Sequence, residues 1–69
     1  MLRNRVNSSN IASIGWENGT LEVEFHDSGV YQYSGVPEAV YHAFLNAYSK
    51  GGYFHDHVKD RYPYREVAL

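Results

Sequence analysis

The stretch IASIGWENGTLEVEFHDSGVYQYS, residues 11–34, carries two turn signals between runs of alternating apolar and polar residues. Asn18-Gly19 is typical of a type I′ hairpin turn, because both central positions of that turn need a positive φ. Alternation around the turn places Trp16 opposite Leu21, so that apolar side chains share one face. The same register predicts Ile14 opposite Val23 and Ala12 opposite Phe25. The sequence therefore predicts a β-hairpin with one apolar face.

A second turn is predicted at Asp27-Ser28-Gly29, where a three-residue loop ending in glycine fits a type I turn closed by a bulge. This register places Tyr31 opposite Phe25 and Tyr33 opposite Val23, so both tyrosines join the apolar face. The prediction at this point is a three-stranded antiparallel meander. Its strands are expected at about 11–16, 20–26 and 29–34.

The residues after the meander predict an amphipathic helix. Gly35 ends the third strand, and Pro37 stands at the first helical position, where its missing N–H costs little. Lys50-Gly51-Gly52 is expected to end the helix with a glycine C-cap. One stripe of the helix is apolar and should cover the sheet. Its members are Val40, Tyr41, Phe44, Leu45 and Tyr48.

A second, short helix is predicted over residues 53–61, ahead of the helix-stopping Pro63. Phe54, Val58 and Tyr62 would line its inner side. The residues after Pro63 alternate and indicate a short extended segment that closes over the sheet edge. The predicted fold class is α+β, a three-stranded antiparallel meander packed on one face by one main helix and one short C-terminal helix.

Length and composition limit the chain to one small domain. With 69 residues and no cysteine, the core must come from large aromatic side chains, among them seven tyrosines. We expect residues 1–5 to form an N-terminal tail and residues 6–69 a single domain. No run approaches the roughly 18–20 apolar residues of a membrane span, and the N-terminus lacks the apolar centre of a secretory signal. We therefore expect a soluble cytoplasmic protein.

Several short motifs occur in an order that resembles the KTSC domain family. They are Tyr31-Gln32-Tyr33, Gly35-Val36-Pro37, Ser49-Lys50-Gly51 with Tyr53-Phe54, and Arg61-Tyr62-Pro63-Tyr64. The family is a short domain found alone in bacteria and phages and at the C-terminus of some lysyl-tRNA synthetases, and a central YxY motif, here Tyr31 and Tyr33, is its marker. The resemblance spans about residues 6–66. It implies a domain of unestablished function, for which the association with a tRNA enzyme suggests RNA binding.

Tyr31 and Tyr33 have two interpretations. Exposed phenols on a sheet serve single-stranded nucleic-acid binders as stacking platforms. The predicted register instead places both rings beneath the main helix, with their hydroxyls at the rim. The uncovered face of the sheet would carry Glu22 and Glu24, which repel phosphate. The pattern therefore favours the core interpretation and disfavours an open-sheet RNA platform.

The cations of the C-terminal third are interleaved with tyrosines, a pattern that favours a nucleic-acid contact. Lysine and arginine hold phosphates, and a base stacks on a phenol. Backbone N–H groups at the start of the second helix offer an anion site. The predicted nucleic-acid-binding residues are Lys50, Gly51, Lys59, Arg61, Tyr62 and Arg65. The alternative is that the tyrosines anchor the fold and the cations are solvated.

The histidines do not suggest a metal or catalytic site. His55 and His57 stand two residues apart, so on a helix they point roughly 200° away from each other and cannot chelate one ion. No nucleophile stands in a recognisable arrangement with a base. We expect no enzyme activity, no metal, no cofactor and no small-molecule substrate.

Two functions therefore remain open. The first is an RNA-contacting accessory domain that meets tRNA or single-stranded RNA through its C-terminal segment. The second is a phage or bacterial protein-interaction module that docks on a protein partner or associates with itself. A net charge of −2 and an exposed Trp16 near the first turn favour the second. The oligomeric state stays open.

Overall fold

A computed structural model describes residues 1–68 as an antiparallel sheet of five strands with two helices on one face. The strands lie side by side in chain order. Leu69, the last residue of the predicted domain, lies outside the described residues. The elements are β1 (Asn4–Arg5), β2 (Ile11–Glu17), β3 (Thr20–Phe25), β4 (Gly29–Ser34), α1 (Glu38–Asn46), α2 (Lys50–His57) and β5 (Tyr64–Ala68). The α+β class is confirmed.

The sheet gains one strand at each edge of the predicted meander. Strand β1, within the stretch predicted as an N-terminal tail, pairs with β2 through Asn4 opposite Ile14. Strand β5 pairs with β4 through Tyr64 opposite Tyr33, which confirms the extended segment after Pro63. The predicted number of three strands is wrong, because a two-residue strand offers no alternation to recognise. Both additions pair backbone groups that β2 and β4 would otherwise expose at an edge.

The first hairpin has the predicted turn. Asn18 and Gly19 have φ values of 51° and 85°, as a type I′ turn requires. Trp16 lies opposite Leu21, as predicted. The apolar face of this hairpin therefore follows directly from its turn chemistry.

The start of β2 departs from the predicted pairing. An irregularity between Ile11 and Ser13 places Ile11, rather than Ala12, opposite Phe25. The larger Ile11 side chain is thereby fully buried. A bulge adds one residue to one strand, and alternation alone does not reveal where.

The second turn is a three-residue loop, but it lies one residue earlier than predicted. Phe25 pairs with Gly29, which has a φ of 97°, and residues 26–28 form the loop. Tyr31 consequently lies opposite Val23 instead of Phe25. The pairing has shifted by two residues, and an even shift keeps every side chain on its face. Both tyrosines of the YxY motif therefore stay on the helix-covered side.

The helix boundaries differ from the predicted ones. Helix α1 ends at Asn46, and Pro37 is its N-cap residue rather than its first helical residue. Residues 50–52, predicted to end α1, form the first turn of α2. The reason is Ser49, whose hydroxyl accepts a hydrogen bond from the Gly52 backbone N–H at 3.0 Å and caps the new helix.

The core lies between the sheet and the two helices. Phe44 on α1 and Val58 after α2 are fully buried. Tyr48, predicted on the apolar stripe of α1, is instead fully exposed because the helix ends before it. The remaining side chains with no exposed surface come from the two central hairpin strands. They are Ile11, Ile14, Leu21 and Val23.

Candidate functional site

A cavity of about 370 Å³ opens beside β4, β5 and the turn that follows α2. Three polar residues, Ser28, Lys59 and Asp60, lie on its wall. The rest of the wall is aromatic and includes both tyrosines of the YxY motif. Its rings belong to Phe25, Tyr31, Tyr33, Phe54 and Tyr64. We call this site the aromatic cavity.

The rings of the aromatic cavity meet mostly at steep angles. The Phe25 ring lies 5.6 Å from the Tyr31 ring at 80° and 5.2 Å from the Phe54 ring at 78°. Tyr33 lies 5.6 Å from Phe54 at 74° and 5.5 Å from Tyr64 at 33°. Edge-to-face packing holds the two phenylalanines and the two YxY tyrosines together, and Tyr64 packs on them at tilted angles. The ring contacts that shape the cavity wall are therefore part of the packing of the domain.

Tyr31 and Tyr33 pack against α2 and β5, whereas the prediction placed them beneath α1. Tyr33 is 5% exposed and touches Phe54 of α2. Tyr31 is half-buried beside Tyr64 of β5, with 5.9 Å between ring centroids. The prediction chose the wrong helix because the extent of α2 was not recognised. The tyrosines face inward as predicted, at an end of the sheet that α1 does not cover.

The hydroxyls of Tyr31, Tyr33 and Tyr64 form no hydrogen bond with another atom of residues 1–68, and none of them is sealed from solvent. Burial, followed by the neighbouring Tyr64, Tyr31 and Asp60, raises the pKa of the Tyr33 phenol to about 12. Tyr33 thus keeps its O–H proton in neutral solution. Three phenols and one carboxylate converge on the same space without protein partners.

Asp60 sits in a backbone conformation that most residues avoid. Its φ is 62°, in the left-handed region that favours glycine and, next, asparagine and aspartate. The turn is closed by the Arg61 backbone N–H, which donates to the Val58 carbonyl at 3.1 Å. Within residues 1–68, neither Asp60 nor Lys59 takes part in an ion pair. Unusual backbone beside a cavity is typical of functional sites.

The predicted nucleic-acid-binding residues of the C-terminal segment separate onto two sides of the sheet. Lys59 lines the aromatic cavity, and Arg61 and Tyr62 follow in the same turn. Arg65 lies opposite Gln32 and one residue from Tyr64, so alternation along β5 turns it to the other face.

Lys50 and Gly51 lie at a third place. The Lys50 ammonium donates to the Ala47 carbonyl at 2.6 Å and so satisfies a backbone group after α1. Both residues border a groove with residues 7–10 at the start of α2. The six predicted residues therefore do not form one surface.

The sheet face away from the helices, predicted to be open and acidic, is bridged by Arg3. Its guanidinium donates to the Glu22 carboxylate and, at 2.8 Å, to the Ser13 hydroxyl, and it lies 3.8 Å from Glu24. Burial acts to raise the pKa of Glu22, but hydrogen bonds from Gln32 and Arg3 outweigh it and leave that pKa below its ordinary value. This face is a closed polar network.

Trp16, predicted to be exposed and to favour a protein contact, instead packs against other residues of the domain. Its indole N–H donates to the Val36 carbonyl at 2.8 Å, and its ring stacks on Tyr41 at 6.5 Å. The Tyr41 hydroxyl in turn accepts a hydrogen bond from Asn4 at 2.9 Å. The aromatic residues at this end are anchors.

The histidines lie apart from the aromatic cavity. His55 and Asp56 are exposed neighbours on α2, 3.2 Å apart. No group of three or more metal-ligating side chains lies together in the described part of the chain. No helix of residues 1–68 is long and apolar enough to cross a membrane.

Comparisons with known sequences and structures find relatives of this chain among separate small proteins and within part of a larger enzyme. A family model described as the KTSC domain matches residues 7–62. An uncharacterized protein of Stutzerimonas stutzeri is 38% identical over 64 residues, or 90% of each chain. Lysine–tRNA ligases of Trichormus variabilis and Nostoc are 41% and 39% identical over 49 residues, which is 71% of this chain but only 9% of each ligase. The crystal structure of a KTSC domain protein from Yersinia pestis matches with a TM-score of 0.94 at 41% identity, covering 96% of both chains.

Proposed function

We propose a function from one premise, which is that the chain belongs to the KTSC domain family. On that premise the chain is a small binding module without a catalytic role. It contacts RNA, as a tRNA or as a single strand, at the aromatic cavity and the turn after α2. A base stacks on the tyrosine rings, and the cations of the turn hold the adjoining phosphates.

The observation that supports this proposal is the meeting of exposed ring surface and positive charge at one end of the sheet. Tyr64 is 62% exposed, and Tyr31 beside it is half-buried. Lys59 lies on the same wall, and Arg61 is exposed two residues later. Stacking of a base on an aromatic ring stabilises a complex by roughly 1–3 kcal/mol per base. The similarity to part of a lysine–tRNA ligase adds an RNA context.

Of the six predicted contact residues, Lys59, Arg61 and Tyr62 belong to this proposal. Lys50 and Gly51 border a different groove, and Arg65 turns to the opposite face of the sheet. We therefore assign these three no direct part in the RNA contact. Tyr31 and Tyr64, whose rings keep exposed surface, supply the stacking rings in their place.

The test is fluorescence anisotropy with labelled tRNA and a labelled uridine-rich single strand, at about 50 and 200 mM salt. Affinity should fall as salt rises, because phosphate contacts release counterions. Lys59→Ala/Arg61→Ala should weaken binding about tenfold or more. Arg5→Ala/Arg65→Ala removes the same charge away from the cavity and should have a smaller effect. Equal losses in both double variants, or affinity weaker than about millimolar at the lower salt, would overturn the proposal.

A second candidate function is docking on a protein, and Tyr48 is the observation that favours it. This tyrosine is fully exposed between the two helices, beside a groove of about 500 Å³ bordered by residues 7–10. An exposed aromatic residue beside a groove is typical of a protein contact. Light scattering and capture from a bacterial lysate, each repeated with Tyr48→Ser, test this candidate. A strict monomer that recovers nucleic acid alone would reject it.

A further inference from the structure

Resting on the RNA contact proposed above, we infer that the aromatic cavity selects a guanine base, which the Asp60 carboxylate recognises along its Watson–Crick edge. The inference adds base specificity and a named specificity residue to the proposed function. It follows from the chemistry of the carboxylate, its surroundings and its backbone.

A carboxylate accepts hydrogen bonds and donates none, so it suits a base edge that offers two adjacent N–H groups. Guanine offers such an edge through its ring N1–H and its 2-amino group. Adenine and cytosine place one amino donor beside a ring nitrogen lone pair, which a carboxylate repels. Uracil places one N–H between two carbonyl oxygens. Single-stranded bases are commonly recognised on these edges.

The Asp60 carboxylate is available for such a contact. It lies on the wall of the aromatic cavity and has no hydrogen bond or ion pair with residues 1–68. Asp60 shares this wall with the rings of Tyr31, Tyr33 and Tyr64.

The neighbours of Asp60 suit the rest of a nucleotide. The exposed Tyr64 ring offers a stacking face, and the cavity of about 370 Å³ lies in the ordinary size range of ligand pockets. Lys59 precedes Asp60 on the same wall without pairing with it. One side chain can therefore meet the base while the next holds a phosphate.

The backbone at Asp60 provides a clean variant. Asparagine tolerates a φ of 62° as well as aspartate does, so Asp60→Asn should leave the turn intact. The new side chain carries one acceptor and one donor. That pattern fits adenine and cytosine, and it also fits guanine and uracil through a carbonyl oxygen beside a ring N–H, so it no longer distinguishes guanine from the other bases.

The experiment measures anisotropy of labelled uridine heptamers that carry a single central G, A or C. The wild-type protein should bind the G strand roughly tenfold to a hundredfold more tightly than the others, the discrimination expected of a bidentate contact. Asp60→Asn should lose this preference and bind the three strands with similar affinity, because an amide can pair with each base. Asp56→Asn makes the same charge change on the exposed surface of α2 and should keep the wild-type preference.

The outcomes separate this inference from the function on which it rests. If wild-type protein binds all three strands with equal affinity, base selection is wrong and the RNA contact stands. If no strand binds, the RNA contact itself is wrong. If Asp60→Asn retains the preference for G, or shifts all affinities as Asp56→Asn does, the assignment to Asp60 is wrong. Backbone amide spectra of each variant confirm that the fold is unchanged.

Discussion

The two ends of the helix-covered sheet face use the same aromatic residues in different ways. At the closed end, around Trp16, Tyr41 and Phe44, every polar ring tip meets a protein partner. The nearby Tyr53 hydroxyl likewise donates to the Val40 carbonyl at 3.4 Å. At the open end, which is the aromatic cavity, three tyrosine hydroxyls have no partner within residues 1–68.

This difference separates structural tyrosines from tyrosines available for a ligand. A buried phenol whose O–H is satisfied inside the protein adds area and a tether to the core. A packed phenol whose O–H still faces water offers a rigid ring and an unused donor. Tyrosine content alone therefore says little about function, and the partner of each hydroxyl says more.

The largest loss of stability is expected for a substitution at the closed end. Phe44 has no exposed surface and stacks on Tyr53 at 5.4 Å, so Phe44→Ala should lower the free energy of unfolding by about 3–5 kcal/mol. Tyr64→Ala at the open end removes a ring that is 62% exposed and should cost about 1 kcal/mol. Urea unfolding of both variants measures the contrast. Equal losses would mean that the two ends do not differ in role.

The second prediction concerns the open end and is the dependence of stability on alkaline pH. The folded-state pKa of Tyr33 is about 12, above the ordinary 10.0, so the folded state holds this proton more tightly than the unfolded chain does. Its contribution to stability is present below pH 10 and is lost as the pH rises through 12, a change of about 3 kcal/mol. Tyr33→Phe cannot ionise here and should lack that part of the alkaline slope. Denaturant unfolding at several pH values measures it, and identical slopes would contradict the buried phenol.

A third, smaller effect tests the turn that brings the YxY tyrosines to the open end. Gly29 has a φ of 97°, which a β-branched residue resists, so Gly29→Val should destabilise the protein by about 1–2 kcal/mol. Gly29→Asn, which accepts a positive φ more readily, should cost less. Thermal unfolding of the pair measures the difference. A neutral valine variant would show that the turn has another conformation.

The smallest effect is expected at Asp60. Its carboxylate has no partner in the fold, and asparagine tolerates the same φ, so Asp60→Asn should change stability by less than about 0.5 kcal/mol. Urea unfolding again provides the measurement. A loss well above about 1 kcal/mol would mean that the carboxylate serves the fold.

The turns and the facing of the central strands could be predicted because short-range chemistry determines them. Asn18-Gly19 admits few alternatives, and period-two alternation sorts the side chains onto two faces. The predicted second turn lies one residue from its actual position. The predicted facing of the side chains is still correct, because the pairing shifted by an even number of residues. The inward facing of Tyr31 and Tyr33 followed from this parity.

The other features depend on long-range contacts that local patterns do not report. Strand β1 is two residues long. The residue that reflects its presence is Gly15, because a β-carbon at this position would overlap the Leu2 carbonyl. The helix boundary was missed because Lys50-Gly51-Gly52 favours an end, whereas the cap at Ser49 makes it a beginning.

The candidate site was predictable only in part. Tyr31, Tyr33 and Lys59 were selected from the sequence, but Asp60 was not, because its left-handed turn depends on how α2 joins β5. Arg65 was grouped with Lys59 because sequence proximity hides the face that each residue takes.

The order of the strands has a consequence for how this domain can be attached to another protein. Strands β1 and β5 are opposite edges of the sheet, separated by four strand spacings, or roughly 19 Å. A polypeptide fused ahead of Met1 would arrive beside β1, across the sheet from the aromatic cavity. In a protein attached in this way, the aromatic cavity lies on the side of the domain far from the attachment point.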